Sequence, residues 1–310
     1  MKSAGDKGEG DVDVESPTIP DPERIAAPRV PPVSSKRKVL LTVAVVATVL
    51  LGAATLALRT AYQQKAISKL PPALSAAASA TAACPDGMAR VPAAGPIRAF
   101  CIDRTEVTTE AYRPCADATV CKPAGQRTER ADITQAERNV TDPLCNARAP
   151  ESRGAHPQNC VDWEMATTFC KARGKRLPTE AEWLRAAIGE AGPRAPWGGA
   201  PATAKLLNAC GAECLAWGRR SKVPVRALYD GDDGFVATAP VGSFPSGAAW
   251  TGALDMFGNV AEWTNDAGDR EGTHVVKGGG WSLSTLDASG TREVTASEVR
   301  SATIGFRCAS

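Results

Sequence analysis

The residues of this chain best suited to metal or nucleophilic chemistry are ten cysteines and two histidines. All ten cysteines fall from Cys84 to Cys308, and none occurs between Cys214 and Cys308. An even, dense set of this kind belongs in an oxidising compartment, where cysteines pair. Cys210 and Cys214 are close enough to pair within a local loop. The connectivity of Cys84, Cys101, Cys115, Cys121, Cys145 and Cys160 does not follow from sequence. No paired Cys-x2-Cys units occur, which argues against a zinc cluster. His156 and His274 stand far apart, and no Ser/His/Asp or Cys/His arrangement forms around either one. A structural role is the default for His156, and a surface position for His274.

These residues must be positioned by a domain with little regular structure. Asp162 or Trp163 opens a helix that ends near Gly174. Thr179-Glu180-Ala181-Glu182 reads as a capping box, in which the Thr179 hydroxyl and the Glu182 carboxylate satisfy free backbone donors. The helix it starts runs to Gly189, a suitable C-terminal cap. A third helix is expected after Thr108-Thr109. Gly, Pro, Asp and Asn recur every few residues elsewhere. The expectation is long ordered loops plus short strands at Phe100–Asp103, Pro240–Phe244, His274–Gly279 and Gly305–Cys308. Loops of this length need staples, and disulfides and bound metal are the ones on offer.

The chain divides by composition into four parts. Residues 1–38 are rich in Gly, Pro, Asp and Glu and predict a disordered tail. Residues 39–58 form an uncharged apolar run whose length matches the hydrocarbon core of a bilayer. Residues 59–83 make an Ala/Ser-rich stalk interrupted by Pro71-Pro72. Residues 84–310 are one globular domain. Lys36-Arg37-Lys38 before the run favours a cytoplasmic N-terminus, although Arg59, Lys65 and Lys69 follow it. The cysteines, all beyond the run, agree with an extracytoplasmic C-terminal domain. Cys84 after Ala80-Thr81-Ala82-Ala83 leaves a lipidated N-terminus as a weaker rival. Net charge is near neutral, at +2, and basic residues do not cluster with aromatics, so nucleic acid is excluded as a partner.

Seven blocks in order give the domain a resemblance. They are Phe100-Cys-Ile-Asp-Arg-Thr-Glu-Val-Thr108; His156-Pro with Val161-Asp-Trp163; Gly174-Lys-Arg-Leu-Pro-Thr-Glu-Ala-Glu-Trp183; and Pro196-Trp-Gly198. After these come Asp233-Gly-Phe235 with Thr238-Ala-Pro-Val241, then Gly258-Asn-Val-Ala-Glu-Trp263, and finally Gly305-Phe-Arg-Cys308. Together with Lys277-Gly-Gly-Gly-Trp281, they make residues 87–308 resemble the formylglycine-generating enzyme, or sulfatase-modifying factor, family. The resemblance implies an α+β fold, a variant of the C-type lectin fold. It implies an oxidase that binds copper through two cysteines five residues apart and converts a Cys-x-Pro-x-Arg segment. Leu283 and Ala288 occupy those two positions here. Neither supplies a soft ligand, so no catalytic residue is assigned and copper is not expected.

Calcium is the cofactor the resemblance retains. One implied set is Asn208 and Asp233 with the carbonyls of Ala209 and Phe235. The other is Asp255 and Glu262 with the carbonyls of Gly258 and Val260. Hard oxygen donors of this mix suit calcium, while spacing alone reads as ordinary turns. The resemblance also implies a Cys170–Cys308 disulfide. A second family disulfide is missing, with Ala187 and approximately Glu293 at its positions. Trp217 and Trp250 lie outside the shared blocks and fit a recognition surface or the core equally well.

Three functions compete. The first is a non-catalytic, membrane-anchored binding module for a peptide or protein. The second is an oxidase with an unrecognised centre. The third is a receptor signalling through its tail.

Overall fold

The structure is a computed structural model that describes residues 83–190, 192, 195–287 and 291–310. The chain divides into two units, Met1–Ser75 and Ala76–Ser310, and the described residues belong to the second. The predicted tail, the apolar run 39–58, nearly all of the stalk and Ala288 lie outside them. Among the described residues no helix is long and apolar enough to cross a membrane.

Among the described residues there are five α-helices and six short strands, besides three 3-10 turns: β1 Met88–Val91, β2 Phe100–Asp103, α1 Thr109–Asp117, α2 Gln135–Thr141, α3 Trp163–Ala172, α4 Glu180–Ile188, α5 Ala212–Ser221, β3 Ala261–Ala267, β4 Thr273–Lys277, β5 Glu293–Ala296 and β6 Ile304–Gly305. β1 and β2 form an antiparallel pair. The other four strands form a sheet in the order β5-β4-β3-β6, with β6 parallel to β3. Helices and sheet are mixed and loops dominate, which fits the α+β expectation.

Local chemistry explains the helix starts. Asp162 caps α3 by accepting from the Met165 amide at 2.9 Å. Thr179 accepts from the Glu182 amide at 3.2 Å, and Glu182 accepts from the Thr179 amide at 2.8 Å, closing the expected capping box. Arg176 clamps Glu182 with two bonds of 2.6 Å. Gly189 ends α4 at φ +73°. α1 starts after Thr108. α2 was not anticipated, because it buries no residue and shows no apolar stripe. Its signal was a second capping box, Thr134 with Glu137.

Two expected strands change form. Pro240–Phe244 is a turn. Proline has no N–H to offer a ladder, and Gly242 adopts φ +78°, sending its amide to Asp255. In Gly305–Cys308 only the first residue lies in a strand. The rest runs beside β2, with the Asp103 amide donating to the Cys308 carbonyl at 2.8 Å and the Cys101 amide to the Ser310 carbonyl at 3.0 Å.

Five disulfides tie the loops: Cys84–Cys101, Cys115–Cys121, Cys145–Cys160, Cys170–Cys308 and Cys210–Cys214. Cys170–Cys308 spans 138 residues and joins α3 to the chain end. It lies beside an aromatic core in which Tyr112 stacks on Phe169 at 5.3 Å and Phe306 meets Phe169 edge-on at 5.5 Å. Replacing Cys170 and Cys308 together by alanine should destabilise the protein by about 3–5 kcal/mol, since the longest loop gains the most freedom on unfolding. Denaturant unfolding of the full-length chain measures this. Non-reducing peptide mapping that finds either cysteine as a free thiol would contradict the pairing.

Candidate functional site

β3 and the segment after β6 meet at a buried ion pair. Arg307 donates from Nε to Glu262 Oε2 and from a terminal nitrogen to Oε1, both at 2.7 Å. The two side chains are fully buried. Trp183 of α4 donates its indole N–H to Glu262 Oε2 at 2.8 Å. Arg307 also donates to the carbonyls of Asp103 and Leu254. Burial works against the Arg307 charge, yet Glu262, Glu106 and Asp255 together outweigh it and raise the guanidinium's pKa.

Both oxygens of Glu262, an implied ligand of the second oxygen set, accept these bonds, and Asp255 has a further buried acid in its surroundings. Glu106, only 2% exposed, has no donor on either oxygen. Burial first, and then the Asp255 carboxylate, raise its pKa well above the usual carboxylate range. Burial likewise raises Asp255, with the Gly242 amide and Arg307 opposing. Three buried acids thus face one guanidinium. Glu106 could have been noticed in the Glu-Val-Thr block, but nothing in its spacing tied it to Asp255.

Of the first oxygen set, Asp233 is held by the backbone of two other members. The Ala209 amide donates to Asp233 Oδ2 at 3.2 Å, and the Phe235 amide to Asp233 Oδ1 at 2.9 Å. Asn208 is 1% exposed; its amide nitrogen serves Ala237 and Asn259, while its Oδ1 has no partner. Tyr229 donates to Asp233 or to the Leu207 or Ala209 carbonyls, all within 3.1 Å, so the Ala209 oxygen is partly engaged. Glu213 and Asp232, which the sequence did not single out, bring carboxylate oxygens within 4.8 Å of those of Asp233. The turn closed by Cys210–Cys214 carries Glu213 there. Gly258, at φ +82°, lets this loop approach, because a Cβ would stand 2.2 Å from the Asn208 carbonyl oxygen.

The strand-end segment 277–287 holds the predicted copper-ligand position Leu283. Its side chain packs with a buried cluster around Trp183 and Phe257. It also contacts the Gly279 Cα side so closely that a Cβ there would lie 2.6 Å from Leu283. Every cysteine of the chain is in a disulfide. The residues present therefore do not fit a thiolate copper site.

Beside this segment opens a cavity of about 450 Å³. Trp281 and Trp217 form one wall, edge to face at 5.4 Å. Trp281 is anchored by its indole N–H on the Ala302 carbonyl at 3.0 Å. Of the two candidate recognition tryptophans, Trp217 lines this cavity. Trp250 does not; it is 48% exposed, donates to the Arg185 carbonyl and stacks under the Arg185 guanidinium at 4.8 Å. His156 bonds the Thr238 hydroxyl at 3.0 Å, a structural role. His274 is not the plain surface residue expected: it stacks on Trp163 at 3.9 Å and bonds Ser297.

Residues 77–310 match the family model described as Sulfatase-modifying factor enzyme 1-like domain. The chain belongs to this family. Among sulfatase-modifying factor relatives, it is 40% identical over 115 residues to the formylglycine-generating enzyme of Mus musculus, covering 37% of this chain and 28% of that protein. It is 35% identical over 168 residues to the inactive C-alpha-formylglycine-generating enzyme 2 of Bos taurus, covering 48% of each. The solved structure of PvdO from Pseudomonas aeruginosa is 22% identical, with a TM-score of 0.47, covering 72% of this chain and 89% of that one. The chain spans less than half the length of the two curated relatives. By their names, one of these relatives is a formylglycine-generating enzyme and the other is inactive. Membership alone therefore does not decide catalysis.

The buried acids generate a pH prediction. A carboxyl whose folded pKa is raised contributes stability that is present below its unfolded value, near 4.5, and lost as pH rises through the folded value. In chelator, the melting temperature should therefore fall as pH rises above about 4.5 and through the raised folded value. Millimolar calcium should remove most of that fall by replacing the Glu106 proton. Glu106→Gln should flatten the chelator profile and shrink the calcium gain. An unchanged melt across calcium and pH would count against this assignment.

Proposed function

We propose that this chain is a membrane-anchored, extracytoplasmic binding module of the sulfatase-modifying factor family, without the family's oxidase activity. The observation that carries the reading is the segment after Lys277-Gly-Gly-Gly-Trp281. Leucine and alanine stand at the two positions where the resemblance implies copper cysteines, and all remaining cysteines are consumed in disulfides. Oxygen activation by a soft-ligand metal has no thiolate to start from.

The groove at Trp281 and Trp217 supports binding instead. It has the size of a ligand site. Its tryptophan wall offers rigid apolar area, and the serine and threonine hydroxyls around it offer partners for an extended main chain. A peptide or a segment of a protein is the ligand class.

Calcium fits as a structural ion. Asn208 Oδ1, Asp233, Asp232 and Glu213 are suited to hold one ion, and Glu106 and Asp255 a second. The unpartnered buried oxygens of Asn208 and Glu106 support the assignment. Bound there, calcium would neutralise excess negative charge and pin loops that have no ladder of their own.

The apolar run 39–58 and the position of all cysteines beyond it support an anchor with the N-terminus in the cytoplasm. A phosphatase fused after Ser310 should be active only outside the cytoplasm. Activity confined to the cytoplasm would reverse the topology.

The full-length chain, incubated with copper, reductant and a Cys-x-Pro-x-Arg peptide, should leave the cysteine unchanged by mass spectrometry. Conversion of thiol to aldehyde well above a no-protein control would replace this reading with that of an oxidase using another centre.

A further inference from the structure

We infer that the groove at Trp281 takes an acidic peptide, a segment that presents a carboxylate beside an apolar residue. Arg226 is the counter-charge, and the Thr128 hydroxyl is a hydrogen-bond donor. This rests on the reading of the groove as the binding site.

Charge comes first. Among the described residues, the charged side chains lining the cavity are Arg130 and Arg226, and no acidic side chain lines it. Arg130 is already paired with Glu137 at 2.5 Å. Arg226 is exposed and, among the described residues, makes no ion pair or hydrogen bond. A free guanidinium at the rim of a concave site attracts anions and binds a carboxylate with two parallel bonds.

Thr128 is the second, independent observation. It lines the same cavity and is 2% exposed. Its amide donates to Asp142 at 2.9 Å, and its carbonyl accepts from Arg138 at 2.6 Å. Its hydroxyl alone has no partner. A buried hydroxyl left unbonded costs free energy, and a ligand oxygen reaching it would recover that cost. The Ser301 and Thr303 hydroxyls, in contrast, bond each other at 2.8 Å.

The tryptophan wall sets the neighbouring residue. Trp217 edge-on to Trp281 suits an aromatic or aliphatic side chain next to the acid. A single free guanidinium matches a carboxylate. A phosphorylated side chain would call for several cations. A segment carrying arginine, such as Cys-x-Pro-x-Arg, would bring like charge to Arg226.

The test uses the full-length chain in detergent and three labelled heptapeptide pools. Each pool carries Phe followed by a central Glu, Gln or Arg, with the remaining positions randomised, and binding is read by fluorescence anisotropy. The Glu pool should bind about tenfold more tightly than the Gln pool, and the Arg pool most weakly. Arg226→Gln should erase the Glu preference without changing the melting temperature, since the side chain is exposed. Thr128→Val should weaken the Glu pool several-fold; if it lowers the melting temperature, the Arg226 result decides. Equal binding of the Glu and Gln pools, a preference for Arg, or a Glu preference that survives Arg226→Gln overturns the acidic ligand but keeps the groove as a peptide site. Free glutamate that competes as well as the Glu pool overturns the peptide. Failure of all three pools to bind overturns both this inference and the binding-module reading.

Discussion

Arg307 and Glu262 carry opposite charges into a fully buried place, and the rest of the domain is arranged around that fact. A buried charge without a partner is strongly destabilising, and a buried pair is tolerated only when its geometry is good and its remaining donors are used. The geometry is good and most of the donors are used. The guanidinium makes a two-bond contact with Glu262 and spends two more donors on the Asp103 and Leu254 carbonyls, while Trp183 covers the carboxylate from α4. One side-chain cluster thereby joins β2, β3, α4, the 254 loop and the chain end. Cys308, next in sequence, is tied to α3. A domain with short strands and long loops gains from such centres what larger sheets obtain from continuous ladders.

The same centre creates an electrostatic imbalance. Glu106 and Asp255 share its surroundings, and one arginine does not neutralise three carboxylates. Either a proton or a cation must complete the charge. Glu106 holding a proton is the response of the chain alone, because burial penalises its anion. A hard cation is the response the family fold suggests. The two are linked, since a cation that enters displaces the proton.

Leu283 stands where the resemblance implies a copper-binding cysteine, and its side chain packs around Trp183 and Phe257. The glycines before it approach their neighbours tightly, and Trp281 is anchored on Ala302. The groove next to that segment is walled by Trp217 and Trp281 and rimmed by Arg226.

The sequence by itself determined what depends on neighbours along the chain. The caps at Asp162 and Thr179, the Gly189 stop, the strand at Phe100–Asp103 and the Cys210–Cys214 turn are local matters of a few residues. The ordered blocks added the family and the Cys170–Cys308 pair. α2 escaped because a helix that buries nothing has no apolar period, although its capping box was written at Thr134 and Glu137. Tertiary structure alone decided that Glu262 belongs to Arg307, that Glu106 is the acid facing Asp255, that Glu213 and Asp232 join Asp233, and that Trp217 rather than Trp250 lines the groove. Each of these depends on where a side chain finds its charge balance and its hydrogen bonds once water is gone. That is a property of residues brought together from distant parts of the chain, and spacing along the chain does not carry it.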